Sequence, residues 1–342
     1  MNSAALKSAN LELVRVEKVS KRFTKSLDFA AKLANRFGAK NQEITVHAVD
    51  QVDLTIRDGE VVALVGESGC GKSTLGRVVA GIHDPSDGRV FWKGQDVTTQ
   101  DGAERHDFVL GAQMIFQDPM SSLNPRIRAG DIVGEAPRVH GMMAGASQKD
   151  YVAELFRRVG LDPDYMRRYP HQFSGGQRAR IGIARALAVK PKLLICDESV
   201  AALDVSIQAQ VLNLFMDLRQ DLGLAYLFIS HDLGVVRHIS DRILIMYLGR
   251  VIESGPTAAI FADPVHPYTR ALLDNVPRLE AKKRSFASIK GEIPSPIHPP
   301  PGCHFHPRCP MAGPRCSREK PRETLLYGGR MVACHLQDGG VQ

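Results

Sequence analysis

Phe173-Ser174-Gly175-Gly176-Gln177 opens a helix that runs through Arg180, Ile181, Ala184 and Leu187, and its flanks make it decisive for the fold. Upstream lies Gly66-Glu67-Ser68-Gly69-Cys70-Gly71-Lys72-Ser73, a phosphate loop. Downstream, the apolar run Leu193-Leu194-Ile195-Cys196 ends in two acids, Asp197 and Glu198. The loop by itself implies only a nucleotide. A second glycine pair at a helix start aims bare N–H groups and a positive dipole end at another anion. Lys72 already serves the phosphates of its own chain. The second helix start therefore makes sense as a cap on the nucleotide of a partner chain, arranged head to tail.

The phosphate loop follows a mechanical logic. Val61-Val62-Ala63-Leu64-Val65 reads as a buried strand that delivers the chain to a sheet edge. There Gly66, Gly69 and Gly71 let successive N–H groups of Gly66 to Ser73 face the β-phosphate, with Glu67, Ser68 and Cys70 as the intervening positions. A helix from Lys72 to Ala80 adds its dipole. Lys72 would reach the β- and γ-phosphates, the Ser73 hydroxyl would bind Mg²⁺, and Thr74 would contact the α-phosphate. Cys70 reads as a small filler whose backbone matters more than its thiol. Asp197 would hold Mg²⁺, directly or through water. Glu198 would polarise the attacking water as a general base.

Runs at Tyr226–Ile229 and Ile243–Met246 read as further buried parallel strands, so the fold class is α/β. Leu11–Val16 and His47–Ile56 alternate and suggest an antiparallel edge beside the parallel core. The texture changes near residue 250, beyond which lie thirteen of the 20 prolines and four of the 6 cysteines. Proline removes backbone donors, and the expectation is a tail with neither sheet nor long helix.

In this order the elements resemble the ATP-binding-cassette ATPases over roughly residues 11–255. The resemblance implies a P-loop ATPase with an antiparallel β subdomain, a helical signature subdomain at about residues 118–180, and ATP with Mg²⁺ as ligands. It implies that Gln117, in Met114-Ile115-Phe116-Gln117-Asp118-Pro119, is the glutamine-loop residue that binds Mg²⁺ or water. His231, in Ile229-Ser230-His231-Asp232, matches the switch histidine that bridges the γ-phosphate to the water or to Glu198. Phe23 stands where the family stacks an aromatic on adenine, although a Phe closing an edge strand is also a common core residue. Ser174, Gly175, Gly176, Gln177 and Asp204 would act in trans on the partner's nucleotide. The family commonly reads Pro-Thr-Ser-Ala-Leu-Asp after the acid pair. This chain has Ser199-Val200-Ala201-Ala202-Leu203-Asp204, so Ala201 lacks a hydroxyl used across the dimer interface.

Two further stretches narrow the resemblance. Asp118-Pro119-Met120-Ser121-Ser122-Leu123-Asn124-Pro125-Arg126 and His266-Pro267-Tyr268-Thr269-Arg270-Ala271-Leu272 are similar to the ATPase subunits of bacterial oligopeptide and dipeptide importers. That family implies two permease subunits, a second and related ATPase chain (a heterodimer rather than a homodimer), and an extracytoplasmic solute-binding protein. It places the chain peripherally on the cytoplasmic face of the inner membrane. The expected division is a nucleotide-binding domain over residues 1–255 and a Pro/Cys-rich C-terminal extension over residues 256–342. Because the solute never touches this subunit, importers of nickel, glutathione or oligosaccharides stay open as alternatives.

Within the extension, Cys303, Cys309, Cys316 and Cys334 are spaced C-x5-C-x6-C-x17-C. Four thiols in a reducing compartment point to metal ligands rather than disulfides. Tetrahedral Zn²⁺ and a [4Fe–4S] cluster both accept four thiolates. The unpaired spacing lacks zinc knuckles, and some of the resembling ATPases are understood to hold a [4Fe–4S] cluster at such a set. The cluster is the expectation, with Zn²⁺ and free structural thiols as alternatives. Its role would be structural, since these residues lie far in sequence from the ATP motifs.

Composition sets limits. The chain has 342 residues, 44% of them hydrophobic, and a formal charge of +7. No run reaches the ~18–20 apolar residues of a bilayer span, and Met1–Asn10 has no apolar signal core, so a mature cytosolic protein is expected. The charge and the cysteines are compatible with a nucleic-acid-associated cassette ATPase. Against that stand a single cassette, no long coiled-coil pattern and the His-Pro-Tyr-Thr segment, and no nucleic-acid partner is expected. The insertion Thr24–Thr45 places Phe29, Leu33 and Phe37 on one face of a short amphipathic helix.

Overall fold

Strand periodicity sorts the molecule into two sheets. The computed structural model describes residues 11–27, 35, 43–99, 102–118, 122–143, 146–201, 203–274 and 291–338. Phe29, Leu33 and Phe37 lie outside them. The first sheet, in the order β2-β1-β4-β5, joins β1 (Glu12–Lys25), β2 (Ile44–Arg57), β4 (Asp87–Trp92) and β5 (Gln95–Asp96). All its pairings are antiparallel. Val14, Val16, Val52, Leu54 and Ile56 are buried from alternate positions, as the alternation requires. The expected antiparallel edge is thus a separate sheet, packed on the parallel one through the core shared by Val14, Leu64, Leu75 and Ile229.

The second sheet has eight strands in the order β11-β12-β10-β9-β3-β8-β7-β6. Its parallel part comprises β3 (Val61–Val65), β6 (Ala112–Ile115), β7 (Leu193–Asp197), β8 (Ala225–Ile229) and β9 (Arg242–Tyr247). Every residue of β3, β7 and β8 is buried, the continuous apolar run expected when helices cover both faces. In chain order the helices are α1 (Lys72–Val79), α2 (Ala103–Gly111), α3 (Ala129–Val139), α4 (Ala146–Arg158) and α5 (Gly175–Leu187). They are followed by α6 (Val205–Leu222), α7 (Leu233–Ile239), α8 (Thr257–Ala262) and α9 (Pro267–Asp274). Val133 of α3, Phe156 of α4 and Ile181 of α5 belong to one buried cluster that carries the signature helix. Among the described residues, no helix is long and apolar enough to cross a membrane.

The C-terminal residues do enter the sheet, contrary to the expectation from proline content. β10 (Arg250–Pro256) runs antiparallel to β9, and the hairpin β11 (Glu323–Leu326) and β12 (Arg330–Ala333) adds to it, with Glu253 opposite Val332. The hairpin follows the last proline, Pro321, so the donors it needs are intact. Its turn uses Gly328 and Gly329, both at positive φ. Phe305 is 1% exposed and packs its ring 5.2 Å from Tyr247 and 5.4 Å from Tyr268. The tail shares the core of the cassette.

Candidate active site

Register places the reacting groups at one edge. Leu64 lies opposite Ile229, Ile229 opposite Asp197, and Ile115 opposite Cys196. Two residues beyond those pairs, at the carboxyl ends of neighbouring strands, stand Gly66, His231, Glu198 and Gln117. The side chains then meet. Gln117 Nε2 donates to Glu198 Oε2 at 2.8 Å, and His231 Nδ1 lies 3.4 Å from Glu198 Oε1. Glu198 has φ of +45°, a left-handed conformation that a non-glycine residue adopts at a cost, and its N–H donates to Ile229 O at 3.0 Å. Backbone strain of this kind concentrates at functional positions, and here it turns the carboxylate towards Gln117 and His231.

Next to them, Ser73 Oγ donates to Asp197 Oδ1 at 2.8 Å. Burial raises the Asp197 carboxyl above its ordinary range, against the Ser73 bond that lowers it. A hydroxyl, a buried carboxylate and the Gln117 amide are oxygen donors suited to a hard cation, so the residues present fit Mg²⁺. Lys72 is 5% exposed, and its Nζ donates to the carbonyls of Gly66 at 2.8 Å and Glu67 at 3.0 Å. Cys70 is buried, which pushes its thiol up and leaves it as packing. Thr74 is the third residue of α1.

Gly71 has φ of +104°, and a Cβ there would sit 2.0 Å from Ala48 O. Gly71→Ala is expected to distort the loop, costing at least ~1–3 kcal/mol for the conformation alone. Thermal denaturation should show a lowered midpoint and titration a loss of ATP binding. A variant with unchanged midpoint and affinity would refute this account of the glycine.

Ser174 caps α5: its hydroxyl accepts from Gln177 N–H at 3.3 Å, while Gln177 Oε1 accepts from Ser174 N–H at 3.0 Å. Both bonds stay within the helix start. A Cβ on Gly176 would meet Ile207 Cγ2 at 2.5 Å, so glycine lets α5 approach α6 closely. Ser174, Gly175, Asp204 at the start of α6 and Ala201 are all exposed, and neighbouring Val205 is 84% exposed. This is an outward patch, not part of the chain's own phosphate site. Phe23 is 40% exposed and meets His83 edge-on at 5.6 Å, so it is not a core residue.

The cysteine expectation gains no support. Among the described residues, no group of three or more His, Cys, Asp or Glu side chains is placed to hold a metal ion. Cys303, Cys309, Cys316 and Cys334 are free thiols. Burial pushes Cys303 up to about 11, with the nearby sulfurs of Cys334, Cys316 and Cys309 adding to the effect. Cys303 and Cys309 pack against the Phe305 cluster. Sequence spacing reports neighbourhood, which is present, but not ligand geometry.

Two residues that the sequence reading left without a role reach the site. Tyr268 Oη accepts from Glu67 N–H at 3.0 Å, and Arg308 contacts the Glu67 carboxylate at 2.6 and 3.1 Å. Tyr268 could have been suspected from the His-Pro-Tyr-Thr segment. Nothing in the sequence marks Arg308.

The model of the ABC transporter family matches residues 49–201, and that of the oligopeptide/dipeptide transporter C-terminal region matches residues 252–316. Over 293 residues the chain is 50% identical to the probable peptide ABC transporter ATP-binding protein y4tS of Sinorhizobium fredii, covering 85% of this chain and 83% of that protein. It is 50% identical over 282 residues to the oligopeptide transport ATP-binding protein OppF of Salmonella typhimurium, covering 81% and 84%. The dimeric post-hydrolysis structure of the ATP-binding cassette MJ0796, bound to ADP and Pi, aligns with a TM-score of 0.61 at 26% identity. That alignment covers 71% of this chain and 98% of MJ0796. With both family models matched and relatives at half identity over most of its length, the chain belongs to the ATP-binding subunits of ABC transporters, in their oligopeptide/dipeptide branch.

Proposed function

We propose that this chain is the ATPase of a bacterial importer of di- and oligopeptides, working with two permease subunits and a solute-binding protein. It hydrolyses ATP to ADP and phosphate. The observation that carries the reading is the convergence of Gln117, Glu198 and His231 beside the phosphate loop. Lys72 moves from the loop carbonyls to the β- and γ-phosphates, while Ser68 to Thr74 offer N–H groups and hydroxyls. Ser73, Asp197 and Gln117 would hold Mg²⁺, which would neutralise phosphate charge when bound. Glu198 takes the proton of the attacking water, and His231 orients it. Phe23, exposed at the end of β1, stacks on adenine.

Ser174, Gly175, Gly176, Gln177 and Asp204 form the face that closes on the nucleotide of a second cassette. The exposed apolar Val205 and the dimeric state of MJ0796 support this arrangement. In the importer the second cassette is a related chain, and the assembly sits at the cytoplasmic face of the inner membrane. Residues 256–342 are the C-terminal extension of the cassette.

Uptake tests the reading. Cells lacking this chain should lose accumulation of a labelled tripeptide, and the wild-type chain should restore it. Unchanged tripeptide uptake with loss of nickel, glutathione or oligosaccharide uptake would overturn the peptide assignment. Coupling is assigned to the segment from Asp118 to His140, whose α3 ends at Val139, 69% exposed. Val139→Asp should lower uptake several-fold while basal hydrolysis by the purified subunit stays near wild type. Equal loss of both would mean that the segment only supports the fold.

A further inference from the structure

Glu67 is the acidic position of the phosphate loop, and each of its polar groups is engaged. Its carbonyl accepts from Lys72 Nζ, and its N–H donates to Tyr268 Oη. Its carboxylate takes a bidentate pair from Arg308, Nη1 to Oε2 at 2.6 Å and Nη2 to Oε1 at 3.1 Å. Lys72 belongs to the loop itself, whereas Tyr268 and Arg308 come from the C-terminal region.

Both of those residues are held firmly. Tyr268 N–H donates to His266 Nδ1 at 3.0 Å at the start of α9, and Tyr268 is 0% exposed. The Arg308 side chain is 5% exposed and also donates to Tyr247 Oη at 3.3 Å. It ends the short 3-10 turn His306–Arg308, closed by Arg308 N–H on Phe305 O at 3.0 Å. Phe305 anchors that turn between Tyr247 and Tyr268.

A carboxylate in a loop that must receive a polyanion is an electrostatic liability, because like charges a few ångströms apart repel strongly where water is partly excluded. We infer that Arg308 and Tyr268 are positioning residues for ATP binding: Arg308 neutralises Glu67 and draws it away from the phosphates, while Tyr268 holds the adjoining N–H. The C-terminal region is then a brace of the nucleotide site, and ATP affinity depends on its being docked. The inference rests on Gly66–Ser73 being the phosphate site.

Charge removal on either side of the pair provides the test, with the full chain and ATP binding read by titration. Arg308→Met should weaken ATP binding by about tenfold, with the loss reduced in high salt. Glu67→Gln alone sets the reference for the pair, and whatever it changes by itself is carried through the comparison. The double variant should bind to within about threefold of Glu67→Gln, since the stranded carboxylate is gone. Should Arg308→Met fail to fold, Arg308→Gln, which retains a neutral donor, carries the same comparison. A purely structural Arg308 would lower the melting midpoint and leave affinity unrescued by Glu67→Gln. Unchanged affinity in the Arg308 variant, or a double variant as weak relative to Glu67→Gln as the Arg308 variant is to wild type, overturns the brace. A wild-type chain that binds no ATP overturns both the brace and the assignment of the phosphate site.

Discussion

Glu198→Gln is expected to cut ATP turnover by ~10²–10⁴-fold, the range for loss of a general base, without loss of ATP binding. The substitution keeps size and shape, and an amide oxygen can still accept from Gln117 Nε2, which now lies 2.8 Å from Oε2. It removes the only function that a neutral amide cannot supply, acceptance of a proton from water. His231, 3.4 Å from the other oxygen, keeps its place but loses the anion it faces. The uncleaved γ-phosphate then persists between Ser73 of one chain and Ser174 of a second copy. Size-exclusion chromatography with ATP and Mg²⁺ should show a dimer that wild type forms only transiently. Turnover above about a tenth of wild type would remove Glu198 from the role of base, given the range above.

What the sequence disclosed follows from the range of the interactions involved. The phosphate loop, the acid pair and the buried strands are local patterns, since contiguous burial, glycine placement and strand-end acids need no knowledge of distant neighbours. Glu198 is nameable from its place after an acid-ended strand, and Gln117 and His231 from the family resemblance, although the meeting of the three depends on strand order. Proline density averaged over the residues beyond 250 conceals the strands of the tail. Its hairpin occupies the proline-free stretch after Pro321, where Glu323–Leu326 and Arg330–Ala333 have their donors. That the antiparallel strands form a subdomain of their own follows from the family resemblance and not from alternation, which reports which face is wet and not which sheet a strand joins.

Long-range polar partners were the hardest to read. Glu67 meets Tyr268 across 201 residues and Arg308 across 241. An arginine between two cysteines invites attention to the cysteines, yet the thiols pack as small apolar groups while the arginine reaches the site. The tail therefore lies far from the ATP motifs in sequence and against them in space.

Lys72→Ala should fail in the opposite way to Glu198→Gln. The Lys72 ammonium, 5% exposed, is now satisfied by two carbonyls of its own loop, Gly66 O and Glu67 O. Those acceptors are neutral, so exchanging them for anionic phosphate oxygens gains charge-assisted hydrogen bonds already in the ground state. Hydrogen bonds to charged groups contribute ~1.5–3 kcal/mol, which corresponds to roughly a ten- to hundredfold rise in the ATP dissociation constant. Such an interaction is made before as well as during transfer, so the loss falls mainly on affinity and KM. Titration with ATP should show weak binding, and chromatography should show no ATP-trapped dimer even when Glu198→Gln is added. That combination orders the two roles, because a trapped state needs the nucleotide held first. A Lys72→Ala chain that bound ATP within about twofold of wild type would mean that the loop N–H groups alone hold the phosphates and that Lys72 serves only the packing of the loop.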